Sequence, residues 1–166
     1  MLAIVHAMPM ERRTACLDYG CGSGYGTELL ATYFPRTIGL DTSLKAIDYA
    51  RVMHTRSGAQ FVTQLHHADP PAKFDFITCI ELIEHLPQDE ARKLLQSFAY
   101  LLAPEGRLVL TTPIANPNGM ATDHHLKEYG MDEFESFLSE FFGVVEVQDI
   151  SVGMPNMIAI CLEPKL

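Results

Sequence analysis

Apolar residues fall into two periods along the chain. Short runs rich in β-branched, aromatic or leucine residues recur at 15–19, 37–40, 60–63, 74–80, 107–112, 144–151 and 157–162, and each has the length and bounds of a strand. Between most of them the spacing changes to that of a helix. Leu29, Leu30 and Tyr33 follow the first run, and Leu44, Ile47, Ala50 and Met53 follow the second. Ala91, Leu94, Leu95, Phe98, Leu101 and Leu102 form the clearest 3.6-residue stripe, and Phe134, Phe137, Leu138 and Phe141 form another. Such stripes face a core, and Asp132 and Glu133 stand where the positive end of the last helix dipole favours acids.

Strands alternating with helices of this length read as βαβ units around a parallel sheet. The alternation lapses at the end, where only Gly153, Pro155, Asn156 and their neighbours separate the last two runs. So short a connection joins antiparallel strands, because a parallel crossover needs about a dozen residues. The predicted architecture is α/β, a doubly wound, mostly parallel sheet with one reversed strand. Two loops are long: 66–73, with Pro70 and Pro71, and 114–129, with Pro117, Asn118 and Gly119.

Composition narrows the class. With 166 residues, 48% of them hydrophobic, the chain suits one core. We expect a short N-terminal segment, 1–13, and one domain, 14–166. Twelve Lys and Arg against 21 Asp and Glu give a net charge of −9. The basic residues are scattered, so no stripe exists to neutralise a phosphate backbone and duplex nucleic acid is not an expected partner. No apolar stretch approaches the roughly 18 residues that a bilayer requires. The apolar residues 2–8 are followed, not preceded, by the charges of Glu11, Arg12 and Arg13, unlike a secretory signal. No membrane partner and a cytoplasmic location are therefore expected. Cys16, Cys21, Cys79 and Cys161 form no CxxC pair and read as reduced packing residues.

Candidate chemistry begins at Asp18-Tyr19-Gly20-Cys21-Gly22-Ser23-Gly24-Tyr25-Gly26, between the first strand and its helix. Glycines there let the backbone turn tightly and let a ligand approach. A P-loop needs a second glycine five positions on, followed by lysine, and the segment has neither. The dinucleotide fingerprint needs Gly or Ala at position 25 or 27, which hold Tyr25 and Thr27. About twenty residues beyond the first glycines, Asp41 ends the second strand, where a carboxylate can accept from both ribose hydroxyls of an adenosine. Its alternative task is to cap the helix starting near Ser43. Asp18 could hold the glycine loop or balance a cationic ligand.

Leu17-Asp18-Tyr19-Gly20-Cys21-Gly22-Ser23-Gly24, Gly39-Leu40-Asp41-Thr42-Ser43, Phe74-Asp75-Phe76-Ile77 running into Glu81-Leu82-Ile83-Glu84-His85-Leu86, and Leu102-Ala103-Pro104-Glu105-Gly106-Arg107-Leu108 together resemble class I S-adenosylmethionine-dependent methyltransferases. The resemblance implies a Rossmann-like, seven-stranded sheet in the order 3-2-1-4-5-7-6 with strand 7 antiparallel. It also implies S-adenosylmethionine as cofactor, with Asp18, Gly20, Cys21, Gly22 and Tyr25 around its methionine part, Asp41 on the ribose, Thr42 on adenine, and Cys79, Ile80 and Glu81 flanking the sulfur. Two features depart from the family. Gln64 and Leu65 follow the third strand, where an adenine-binding acid is usual, and Gln64 or a backbone group stands in for it. Only about 13 residues precede the first strand, where the family carries one or two helices. The substrate side is then open, covered by a partner, or that of a minimal domain.

Methyl transfer needs positioning and exclusion of water more than an enzyme nucleophile, with a base where the acceptor's pKa is high. His124 and His125, in the long loop after strand 5, are candidate bases or substrate contacts, and His85 is a third candidate. Glu81, Glu84 and His85 are spaced to share a helical turn. With a loop histidine they resemble the metal cluster of Hen1-type small-RNA 2′-O-methyltransferases, although the same pattern occurs in metal-free small-molecule enzymes, and no metal is expected here. The expected function is transfer of a methyl to O, N or C of a small-molecule or carbohydrate-like acceptor. The alternatives are the Hen1-like reaction and a non-catalytic adenosyl-binding module completed by a partner; a nicotinamide-dependent dehydrogenase is more distant. Ile4, Val5 and Met8 are expected to form an exposed patch through which a second copy could make a homodimer.

Overall fold

The computed structural model describes residues 2–68, 70–116 and 122–165, so the predicted turn residues Pro117, Asn118 and Gly119 lie outside the described part. The chain divides into two compact units, residues 1–78 and 79–166. Its strands form one seven-stranded sheet in the order β3-β2-β1-β4-β5-β7-β6, as the resemblance implied.

In the first unit, β1 (Ala15–Tyr19), β2 (Arg36–Leu40) and β3 (Gln60–Val62) run parallel. The helices α2 (Tyr25–Ala31) and α3 (Leu44–Met53) follow β1 and β2. The strand β4 (Phe74–Ile80) begins in this unit and ends in the second. Leu17, Leu30, Phe34, Ile38, Ile47 and Phe76 fill the core, and the rings of Phe34 and Phe76 stack 5.4 Å apart. Burying each such side chain contributes about 1.5–3 kcal/mol. At the entry to β1, Asp75 on β4 accepts from the Thr14 hydroxyl and from the backbone N–H groups of Thr14 and Ala15.

The second unit contains α4 (Gln88–Leu101), β5 (Leu102–Pro113), α5 (Met131–Ser139), β6 (Phe142–Asp149) and β7 (Asn156–Pro164). The reversed strand, β7, pairs antiparallel with both β5 and β6. The predicted stripe on α4 is buried at Ala91, Leu94, Leu95 and Phe98, and that on α5 at Phe134, Phe137 and Leu138.

Several boundaries differ from the sequence expectation. Helix α2 stops at Ala31, ahead of Tyr33, because Pro35 restricts the residue before it to extended backbone. Only Leu30 of the predicted face is buried; Leu29 is exposed. Leu102 opens β5 instead of closing α4, so helix and strand abut without a loop. The strand β6 starts two residues early because Phe142 is fully buried.

The N-terminal segment forms α1 (Leu2–His6) and a 3₁₀ turn, Met10–Arg12. Its expected exposed patch is not found: Val5 and Met8 are buried and Ile4 is half-buried. The Arg13 side chain fastens the segment, donating to the carbonyls of His6 and Met8. The burial of Val5 and Met8 removes the exposed patch expected to receive a second copy. All four cysteines are free, and among the described residues no helix is long and apolar enough to cross a membrane.

Candidate functional site

The first unit places the glycine loop beside the end of β2. Gly20 and Cys21 donate their N–H groups to the Leu40 carbonyl at 2.7 and 3.0 Å. Asp41, just beyond, accepts from Gly22 N–H through Oδ2 at 2.9 Å and from Ser43 N–H through Oδ1 at 2.8 Å. The side-chain oxygen of Ser43 then caps α3, so the capping task considered for Asp41 belongs to Ser43. A carboxylate has about four acceptor sites; two N–H groups use half of them, so Asp41 retains capacity for two hydroxyl donors. Gly22 has φ +50°, and a Cβ there would meet nothing within 4 Å. An open glycine adjoining a carboxylate with spare acceptors fits the ribose and methionine portions of S-adenosylmethionine. Thr42, next to Asp41, is exposed, as is Tyr25, which opens α2. Gln64 is also exposed and precedes a 3₁₀ turn, Leu65–His67.

Asp18 is buried. Its Oδ2 accepts from the Thr27 hydroxyl at 2.6 Å and its Oδ1 from the Thr78 hydroxyl at 2.8 Å. Burial holds its carboxyl above the usual carboxylate range, against the two hydroxyl bonds that favour the anion. These contacts tie β1 to β4 and α2. Thr27 and Thr78 carry no sequence signal of their own. The Cys21 thiol is pushed up to about 12, chiefly by burial and then by the charge of Asp18, so it is neutral at physiological pH.

The second unit brings together Glu84, His85 and His125. Cys79 is buried in β4, Ile80 ends that strand half-buried, and Glu81 follows with φ +49°. Helical geometry covers only Ile83–His85, so the predicted shared turn of Glu81, Glu84 and His85 does not form. Glu81 instead accepts from the hydroxyl of Thr111 at 2.6 Å and from Asn156 Nδ2 at 3.1 Å. Non-glycine residues at positive φ are uncommon and tend to mark functional segments. Glu84 is 1% exposed; its Oε2 accepts from the Thr112 hydroxyl at 3.0 Å, and its carbonyl accepts from the N–H groups of Leu126 and Lys127. Burial raises its carboxyl above the ordinary range.

His125 is buried, with Nδ1 2.6 Å from Oε1 of the buried Glu128. A carboxylate there holds the proton on Nδ1, which leaves Nε2 as the basic nitrogen. The rings of His85 and His125 meet edge-on with centroids 5.0 Å apart. One ligand atom from each of Glu84, His85 and His125 can be chosen so that all lie within 4.8 Å of one another. His124 enters this cluster through its backbone: its carbonyl lies 3.1 Å from His85 Nδ1, and its own side chain is exposed. The two adjacent histidines thus separate, one buried and buttressed, the other a surface residue. Glu128 escaped the sequence reading, although its position three residues after His125 was the available signal.

A family model described as methyltransferase domain matches residues 2–148. The ubiquinone biosynthesis O-methyltransferase of Azoarcus sp. (strain BH72) is 37% identical over 101 residues, which cover 58% of this chain and 42% of that protein. The chain spans less than half the length of several curated relatives of that description. Among solved structures, the DhpI–SAH complex superposes with a TM-score of 0.76 at 20% identity, covering 99% of this chain and 83% of that one. The N-methyltransferase NodS from Bradyrhizobium japonicum WM9, in complex with S-adenosylhomocysteine, gives 0.74 at 23% identity, covering 92% and 79%.

Proposed function

The chain belongs to the class I S-adenosylmethionine-dependent methyltransferases, and from that premise we propose that it methylates a hydroxyl oxygen of a small-molecule acceptor. The observation that carries the choice of oxygen is the buried Glu128–His125 pair. An amine can attack with its own lone pair, whereas a hydroxyl gains most from a base that removes its proton. Nε2 of His125 is that base, and Glu128 fixes the ring and stabilises the imidazolium that forms.

The cofactor supplies an activated methyl on a sulfonium. Asp41 receives its ribose hydroxyls, Gly22 leaves room for its approach, and Gly20, Cys21 and Tyr25 flank it in sequence as further cofactor contacts. Asp18 acts one layer below, through Thr27 and Thr78. Cys79, Ile80 and Glu81 remain in this proposal as the segment that borders the reacting centre, supported by the positive φ of Glu81. The net charge of −9 and the scattered basic residues favour a small acceptor over duplex nucleic acid. Free cysteines agree with a reducing, cytoplasmic setting. The relatives named as ubiquinone biosynthesis O-methyltransferases support oxygen as the acceptor atom.

A second reading rests on the convergence of Glu84, His85 and His125. Two imidazoles and a carboxylate suit a divalent first-row cation, which would polarise the acceptor hydroxyl directly. Glu81 lies outside that group, so the four-residue cluster of the Hen1-like reading is not assembled as the sequence suggested. Transfer of labelled methyl to panels of small phenols, alcohols and amines, with and without Mn²⁺ and after chelation, tests both readings. Metal-independent transfer to hydroxyls that is lost in His125→Ala supports the first. Activity abolished by chelation supports the second, and transfer to amines alone overturns the assignment of oxygen.

A further inference from the structure

We propose that His54, backed by Glu28, is a positioning residue for the cofactor: it grips the glycine loop through the Ser23 carbonyl and holds that loop in its receiving conformation. The inference rests on the reading of Asp41 and the glycine loop as the cofactor cradle.

His54 caps the C-terminus of α3 and is 4% exposed, which is rare for a polar ring unless it is engaged. Its Nε2 lies 3.0 Å from the Ser23 carbonyl. A carbonyl only accepts, so Nε2 carries the donated hydrogen. Its Nδ1 lies 2.9 Å from Glu28 Oε2 without the alignment of a proper hydrogen bond. Glu28 thus stands against the Nδ1 edge of the ring and limits its rotation. The Tyr25 ring packs edge-on at 5.0 Å and the Phe61 ring tilts against the imidazole at 6.0 Å, so the ring is confined on both sides.

The loop lies on this ring without slack. Gly24 has φ +88°, and a Cβ there would come within 2.9 Å of His54 Cδ2, 2.9 Å of Ala50 Cβ and 2.8 Å of Phe61 Cε1. A backbone pressed this closely follows any movement of the imidazole. Ser23 and Gly24 sit between Gly22, whose N–H reaches Asp41, and Tyr25, which opens α2. Loss of the Ser23 bond therefore frees the segment that both cofactor contacts depend on. His54 is not placed to touch the reacting atoms; its effect passes through the loop.

The test is calorimetric titration of S-adenosylhomocysteine into wild type, His54→Leu, His54→Gln and Glu28→Gln, with the unfolding midpoint of each measured without ligand. The leucine variant fills the space but cannot donate, and its affinity is expected to fall about tenfold. Glutamine can place an amide N–H where Nε2 was, and its affinity should return to within about threefold of wild type. Loss in the leucine variant with recovery in the glutamine variant, at a temperature where both are folded, establishes the positioning role. A purely structural histidine predicts changed midpoints with unchanged affinities, and that result overturns the proposal. Should the leucine variant fail to fold, a loss of affinity in folded Glu28→Gln supports the role, and wild-type affinity in folded Glu28→Gln overturns it. Wild-type protein that binds no S-adenosylhomocysteine overturns the cradle reading and this inference together, whereas wild-type binding with all variants equal overturns this inference alone.

Discussion

At the residue scale, the two aspartates of the first unit divide their labour by burial. Asp41, half-exposed and holding two backbone N–H groups, keeps acceptors for a ligand. Asp41→Ala should weaken S-adenosylhomocysteine binding by tenfold or more, about 1.4 kcal/mol, measured by calorimetry. Asp18 is buried, each of its oxygens accepts from a threonine hydroxyl, and its carboxyl is raised by burial. A raised acid binds more proton folded than unfolded, so its contribution to stability is full below its unfolded pKa and declines as pH rises through its folded value. Urea titrations across the acid-to-neutral range should show wild type losing stability relative to Asp18→Asn as pH increases; parallel curves would contradict the raised value. Glu128 has a different test. Glu128→Gln keeps the shape but removes the charge behind His125, and should lower kcat by about tenfold or more with the affinity for S-adenosylhomocysteine retained. Single-turnover kinetics separate the two.

At the element scale, the glycine loop and α3 are built against each other. Ser43 caps the helix, Asp41 links cap to loop, and His54 closes the helix back onto Ser23. Gly24→Ala sets a Cβ against Phe61, Ala50 and His54 at a left-handed φ, and thermal unfolding should show a loss of about 1–3 kcal/mol. Much of this level was legible beforehand, because alternation and helical stripes report burial directly. The strands at 15–19 and 74–80 agree with the structure at both ends. What escaped is what depends on partners distant in sequence. Nothing local shows that Thr78 will meet Asp18, or that Glu81 will turn to Thr111 and Asn156 instead of sharing a turn with Glu84. Nor could the pattern separate His124 from His125, since loop residues lack the periodicity that assigns a face. The apolar Val5 and Met8 misled for a related reason: an apolar run shows that burial is favoured but not which surface provides it.

At the scale of the whole molecule, the sheet order was implied by four motifs taken together, and no one of them would have sufficed. The distribution of thiols follows from that order. Cys16, Cys79 and Cys161 lie in strands and are buried, with burial pushing Cys16 and Cys161 far above the ordinary thiol range. Cys21, half-buried in the glycine loop, is pushed up to about 12. Thiolate, not thiol, is the nucleophile, so an aromatic disulfide reagent at neutral pH should react slowly or not at all with the native protein and titrate four thiols after denaturation. Rapid reaction of more than one equivalent in the native state would contradict the packing of the strands, which hold three of the four thiols.

The tie of Asp18 to Thr27 and Thr78 also has a consequence for descent. A buried carboxylate that loses a hydroxyl partner is costly to leave in place, and a threonine that loses its carboxylate keeps a buried hydroxyl with a poorer partner, for Thr78 the Leu17 carbonyl at 3.5 Å. The intermediate states are therefore worse than either end, and the three positions should drift as a set. Lineages that replace Asp18 with an apolar residue should have replaced Thr27 and Thr78 as well, by valine or alanine, while lineages that keep the acid keep both hydroxyls.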